Sequence, residues 1–190
     1  MCSSDLERLA DLRWRQTNLT GALFAVRKPT VAALPGAAAG AGLAIALACD
    51  IRIAAKSAFC ATGYARIGLS GDYGIAWLMT RAVGPMRARE LMLTAERVDA
   101  ERSERIGLVN RVVEDAKLQD EAFALAKSLA EGPRIAYRNI KDNLDEAPYI
   151  DYPTAMHREA ERLTQCSRTA DHKEAVTAFV EKRKPVFTGR

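Results

Sequence analysis

Apolar residues recur at Leu6, Leu9, Leu12, Leu19 and Leu23, close to the helical period, so residues 5–26 read as one or two helices with Asp5 as the N-cap. The Lys28-Pro29 step ends that element, because a proline ring disfavours helical backbone in the residue before it. "TVAALPG" (30–36) is a short apolar run entering a Pro-Gly turn and reads as a buried strand. Residues 40–48, all small or aliphatic, read as a helix, and "DIRIAA" (50–55) as the next strand. Strand, loop, helix, strand is a crossover, which implies parallel pairing.

Residues 57–74 read as loop and short strand. "IAWLMTRAVG" is a helix stopped by Gly84, and Pro85 opens another, where its missing N–H costs nothing. Asp99 caps a short helix that ends at Gly107, and "LVNRVV" (108–113) is a last brief strand. Beyond Asp115 the pattern is helical over 115–130, 133–146, 153–167 and 171–182, the last with Asp171 and Glu174 at capping-box spacing. The expected organisation is a strand-and-helix core over 1–114 followed by a helical region over 115–190. Because the chain opens on a cap with no strand before it, it reads as the later part of something longer.

Composition narrows the picture a little. A chain of 190 residues, 48% of them hydrophobic, can bury a core and does not have the make-up of a disordered one. The net charge of +4 is scattered, with no block of five like charges, which does not favour nucleic acid as a partner. Cys2, Cys49, Cys60 and Cys166 form no CxxC pair and have no histidine at metal-ligand spacing, so neither a metal nor a disulfide framework is expected, and a reducing cytoplasm fits. Cys49 and Cys60 lie in apolar surroundings and read as small buried residues. No apolar run reaches the span of about 18 residues that a membrane helix needs, so no membrane partner is expected.

Two stretches carry candidate chemistry. In "GAGLAIALACDIRIAA" (40–55), Gly40 and Gly42 bare the backbone at the head of a helix, where unpaired N–H groups suit a developing oxyanion. The same small residues equally serve tight helix–sheet packing. In "GLSGDYG" (68–74), Asp72 is a carboxylate between glycine turns, suited to act as a base, or to close an Asx-turn or cap the helix near Ile75. His157 and His172 sit in charged helices and read as surface residues; Trp77, Leu78 and Met79 read as core.

"KPTVAALPGAAAGAGLAIALACDIRIAA", "IGLSGDYGIAWLMTRAVG", "ELMLTAERVDAERSERIGLVNRVV" and "AFVEKRKPVF" follow one another over residues 28–188. In this order and at these spacings they closely resemble the crotonase superfamily, the enoyl-CoA hydratase/isomerase enzymes. The resemblance implies an α/β fold, a ββα spiral core here incomplete at the N-terminus, and a C-terminal helical region, assembled as a homotrimer or dimer of trimers. It implies an acyl-CoA thioester as substrate and no cofactor beyond the coenzyme A that the substrate carries. In this family two backbone N–H groups hold the thioester oxygen while an enolate forms. The resemblance places one at Gly40 and the other, through "CSSDL" (2–6), at Ser4.

Hydratases of the family carry glutamates at positions that are Ala44 and Tyr64 here, so neither is a carboxylate. The resemblance leaves those two, with Gly71, as lining of the acyl site, Tyr64 having in addition a hydroxyl to donate. Asp72 matches the aspartate that dienoyl-CoA isomerases and an aryl-CoA dehalogenase use as base or nucleophile. Phe179 and Lys182 match an aromatic and a lysine that contact coenzyme A, often from a neighbouring subunit. Overall resemblance implies an enoyl-CoA hydratase. The alternatives are an isomerase or other enolate reaction at Asp72, or a non-catalytic CoA-thioester binder.

Overall fold

A computed structural model describes residues 3–190; the Met1 and Cys2 positions, and with Cys2 the start of the "CSSDL" match, lie outside the described residues. The chain divides into two compact units, one comprising residues up to Val26 with Thr30–Ala124, the other Arg27–Pro29 with Leu125–Arg190. Residues 115–124, which the sequence pattern groups with the C-terminal helices, fall in the first unit.

The first unit opens on α1 (Ser3–Gln16), which runs through a π-helical turn (Thr17–Gly21) into α2 (Ala22–Phe24). Asp5 is not its N-cap, since the helix has already begun at Ser3; the carboxylate sits in the first turn, where it suits the positive helix end. There follow β1 (Val31–Leu34), β2 (Ala37–Ala39), α3 (Ala41–Ala48), β3 (Ile51–Ala55), β4 (Phe59–Ala61), α4 (Ile75–Thr94), β5 (Val98–Asp99), α5 (Ala100–Ile106) and β6 (Arg111–Val113).

One sheet has the order β1-β3-β6, parallel throughout, with Val31 opposite Ile51 and Ile53 opposite Arg111. The other has the order β2-β4-β5, parallel between β2 and β4 and antiparallel between β4 and β5. Hence β1–β2–α3 and β3–β4–α4 are two successive ββα turns, each stepping from the first sheet to the second. Sequence pattern missed β2, because three alanines carry no strand signal; pairing with Phe59, Cys60 and Ala61 makes it a strand.

Alanines let α3 pack closely against β2 and α4, where it buries Ala44, Ala46 and Ala48 together with Leu43 and Leu47. The α4 run breaks at Gly84 (φ 78°), and Pro85 starts its second segment, as the sequence predicts. Asp99 accepts from the Arg102 N–H at 2.7 Å, capping α5, which Gly107 closes. Leu78 and Met79 are core; Trp77 is not, being 41% exposed, with Phe24 in a T-shaped contact at 5.2 Å and the Arg81 guanidinium over its ring at 4.6 Å.

Two polar braces fix the first sheet. The Asp50 carboxylate accepts from the Thr30 N–H (2.7 Å) and hydroxyl (2.9 Å), tying the approach to β3 to that of β1. Arg52 donates its N–H to Asn110 Oδ1 and its guanidinium to the carbonyls of Leu108 (2.8 Å) and Cys49 (2.6 Å). Burial depresses the Arg52 pKa, so this cation is held by carbonyl dipoles in a largely dry setting.

In the second unit lie the end of α6 (Leu118–Ala130), α7 (Arg134–Glu146), α8 (Tyr152–Ser167) and α9 (Ala170–Val180). Arg162 joins α8 to α7 through Asn143 (2.6 Å) and Glu146 (2.7 Å). The Asp171/Glu174 capping box does not form. Thr169 caps α9, accepting from the His172 N–H at 3.0 Å, because Asp171 is buried and accepts instead from the N–H groups of Thr188 and Gly189, while Glu174 pairs with Arg183. No helix among the described residues is long and apolar enough to cross a membrane.

Replacing Arg52 by Met keeps the apolar stem and deletes the donors to two carbonyls. The expected loss is about 2 kcal/mol of folding stability, read as a lowered urea midpoint at unchanged slope.

Candidate functional site

The site is built where the β2–β4 ladder ends. Gly40 donates its N–H to the Ala61 carbonyl at 3.0 Å, one rung beyond β2, and its backbone then turns through φ 53°, ψ −124° into α3. The first intrahelical bond runs from the Ala44 N–H to the Gly40 carbonyl at 3.1 Å. By helix geometry the N–H groups of Ala41, Gly42 and Leu43 therefore precede the ladder. This corrects the expectation for Gly40: its own N–H is spent within the sheet, and the donor that the turn presents is the next one, Ala41.

The chain leaving β4 supplies the second component. After Thr62, whose hydroxyl donates to the Leu91 carbonyl at 2.9 Å, the backbone turns at Gly63 into a single 3-10 turn, Tyr64–Ile67. That turn sets the Tyr64 ring, 7% exposed, against Gly40: a Cβ built on Gly40 would lie 3.7 Å from both the ring and its hydroxyl. The Tyr64 hydroxyl donates to Asp72 Oδ1 at 2.5 Å. Burial first, and then the bond to the Asp72 carboxylate, push the phenol upward in pKa, against a weaker opposite pull from the Asp72 main chain.

Asp72 is half-buried on the loop before α4. It neither caps that helix, whose N-cap is Gly74 with no side-chain bond, nor closes an Asx-turn; its carboxylate turns to Tyr64 instead. Gly71 has φ 118°, and a Cβ there would come within 3.1 Å of Ile75 and 3.3 Å of Met92, so only glycine lets the loop pass this close. Tyr73 is also in the left-handed region (φ 51°), with its N–H held by Gln16 Oε1 at 2.9 Å. Beside this loop a cavity of about 400 Å³ opens between the π-helical turn and the head of α4, walled by Thr17, Thr20, Phe24, Tyr73, Trp77 and Leu78.

The structure thus brings Gly40, Tyr64 and Asp72 into one chain of contacts. Ala44 is fully buried in α3, and Ser4 is exposed in the first turn of α1. Phe179, 84% exposed near the end of α9, and Lys182, just beyond it, belong to the second unit. Sequence reasoning missed Ala41, Gln16 and the π-helical turn; apolar spacing alone cannot register one extra residue in a helical turn. Among the described residues, no cluster of three or more His, Cys, Asp or Glu side chains could hold a metal ion.

Backbone N–H groups at a helix head, beside a carboxylate on a ββα spiral, form an arrangement chemically suited to an anionic intermediate. Comparison with known proteins makes this specific. The chain matches the family described as "Enoyl-CoA hydratase/isomerase" over residues 1–190. It is 39% identical over 179 residues to a "Probable enoyl-CoA hydratase" of Rhodobacter capsulatus, covering 94% of this chain and 70% of that protein. It is 38% identical to the 1,2-epoxyphenylacetyl-CoA isomerase of Escherichia coli, covering 86% of this chain and 62% of that one. The crystal structure of an enoyl-CoA hydratase from Bacillus anthracis superposes with a TM-score of 0.91 at 29% identity, covering 100% of this chain and 72% of that one. The chain belongs to the enoyl-CoA hydratase/isomerase family, and its two ββα turns are part of the spiral core of that fold.

The two glycines of the turn separate in a stability test. Gly40→Ala forces a side chain into a backbone conformation reserved for glycine and is expected to cost about 1–3 kcal/mol. Gly42→Ala, in ordinary helical backbone with nothing within 4 Å of the new methyl, is expected to gain about 0.5 kcal/mol. Denaturant midpoints of the two variants check both.

Proposed function

We propose that this chain processes an acyl-CoA thioester as an enoyl-CoA hydratase, with the thioester oxygen held by backbone N–H groups and Asp72 as the base. The observation that carries the reading is the contact chain Gly40–Tyr64–Asp72, which sets a carboxylate beside the helix head that presents the Ala41 N–H. Ala41 takes the oxyanion role that resemblance assigns to Gly40. The second donor in this reading is the Ser4 N–H, in the first turn of α1, the position to which resemblance assigns it.

Hydration then proceeds as follows. A water oxygen bonds to the β-carbon as Asp72 takes one of its protons, and the alkene electron pair moves onto the thioester oxygen. Aligned donors lower that barrier by about 3–4 kcal/mol each. The enolate then takes that proton back from Asp72 at the α-carbon, the thioester carbonyl re-forms, and the Asp72 carboxylate is restored. In this reading the cavity beside Tyr73 receives the acyl chain; Ala44, fully buried, and Gly71, which resemblance assigns to the acyl site, are not among its lining residues. Phe179 and Lys182 meet the adenine and phosphates of coenzyme A bound by a neighbouring subunit. The working form in this reading is a homotrimer or dimer of trimers in the cytoplasm.

A second reading rests on a specific observation. Ala44 and Tyr64 leave Asp72 as the carboxylate of the contact chain, and double-bond isomerisation needs only one, which removes a proton and returns it two carbons away. A relative named as an isomerase is 38% identical to the chain.

The discriminating assay follows the conjugated-enoyl absorbance. Hydration predicts its loss with a short-chain 2-enoyl-CoA, and Asp72→Asn lowers kcat by about 10²–10⁴-fold. Absorbance gained from a 3-enoyl-CoA, with none lost from the 2-enoyl, replaces hydratase by isomerase. Full activity in Asp72→Asn removes Asp72 from the chemistry in either case.

A further inference from the structure

We infer that Tyr64 is a positioning residue for Asp72: its hydroxyl holds one carboxylate oxygen, leaving the other for the proton, while its ring fixes the distance from that carboxylate to the oxyanion turn. The inference rests on the role just proposed for Asp72.

Three observations converge on it. The Tyr64–Asp72 bond engages Oδ1, and among the described residues no protein donor reaches Oδ2. Asp72 sits on a loop that bends through left-handed backbone at Gly71, Tyr73 and Gly74, and such a loop does not by itself fix a side-chain torsion. Tyr64, by contrast, is rigidly placed. It is buried, begins a 3-10 turn, and has its carbonyl held by the Leu69 N–H at 3.0 Å. The phenol therefore transfers the rigidity of the β4 end to a carboxylate that its own backbone leaves loose.

The chemistry of the pair suits a base. A neutral donor stabilises the carboxylate without cancelling its charge, as an arginine would. Burial together with Asp72 keeps the phenol protonated, so it remains a donor throughout the working pH range. A wall residue alone would need no hydroxyl, and a phenol buried without a partner is unfavourable. The same ring lies 3.7 Å from the Cβ position of Gly40, so one side chain gauges base and oxyanion turn against each other.

The test is Tyr64→Phe, an isosteric change, compared with wild type, Asp72→Asn and the double variant. Circular dichroism and binding of a saturated acyl-CoA confirm the fold and the thioester site in each. Tyr64→Phe is expected to lower kcat about 10- to 100-fold, the size of one lost hydrogen bond to a charged group, with KM within about twofold. In the Asp72→Asn background the same change should cost nothing further. Unchanged kcat, a rise confined to KM, or equal losses in both backgrounds would overturn the inference while an inactive Asp72→Asn leaves the proposed function standing. Full activity of Asp72→Asn, or no turnover of any enoyl-CoA by wild type, removes both.

Discussion

One hydrogen bond decides which backbone groups this site can offer: the Gly40 N–H to the Ala61 carbonyl. It is the last rung between β2 and β4, and it holds the chain in the sheet for one residue more than the glycine pattern suggests. Only past it can the backbone swing into α3, and only a residue without a side chain tolerates that swing. The ladder thus hands its end directly to a helix head, and β4 continues from the other side of the rung into Tyr64. Sheet pairing, helix head and carboxylate partner all diverge from this one point.

Much of the fold was legible because it follows from local rules. Gly84-Pro85 breaks a helix, Asp99 and Gly107 bracket α5, and the strand–helix–strand order around α3 implied parallel pairing, each as observed. What escaped was created by tertiary pairing. The alanines of β2 have no intrinsic preference for a strand, and the competition for Asp171 between its own helix and the Thr188–Gly189 backbone is invisible to a capping pattern. Tyr73 defies the pattern in another way, being a bulky residue at positive φ whose N–H is held by Gln16.

The candidate site was legible to the same extent and for the same reasons. Asp72 stood out as a carboxylate among glycines, and its two readings, turn-former or functional group, differ only in where the side chain points. The structure points it at Tyr64. Motif matching located the helix head but could not show that the Gly40 N–H is engaged within the sheet, because its acceptor is 21 positions away. The glutamate positions of hydratases, filled here by Ala44 and Tyr64, were readable in type; that Tyr64 reaches the carboxylate was not.

The π-helical turn at Thr17–Gly21 makes the wall of the cavity a matter of helical phase. Each residue added to or taken from a helix rotates everything downstream by about 100°. The wide turn therefore decides that Phe24 meets Trp77 after Gln16 has reached Tyr73. A change in the length of this one turn re-faces the wall of the cavity without substituting a single lining residue, so the shape of the cavity is set by residue count as much as by residue type.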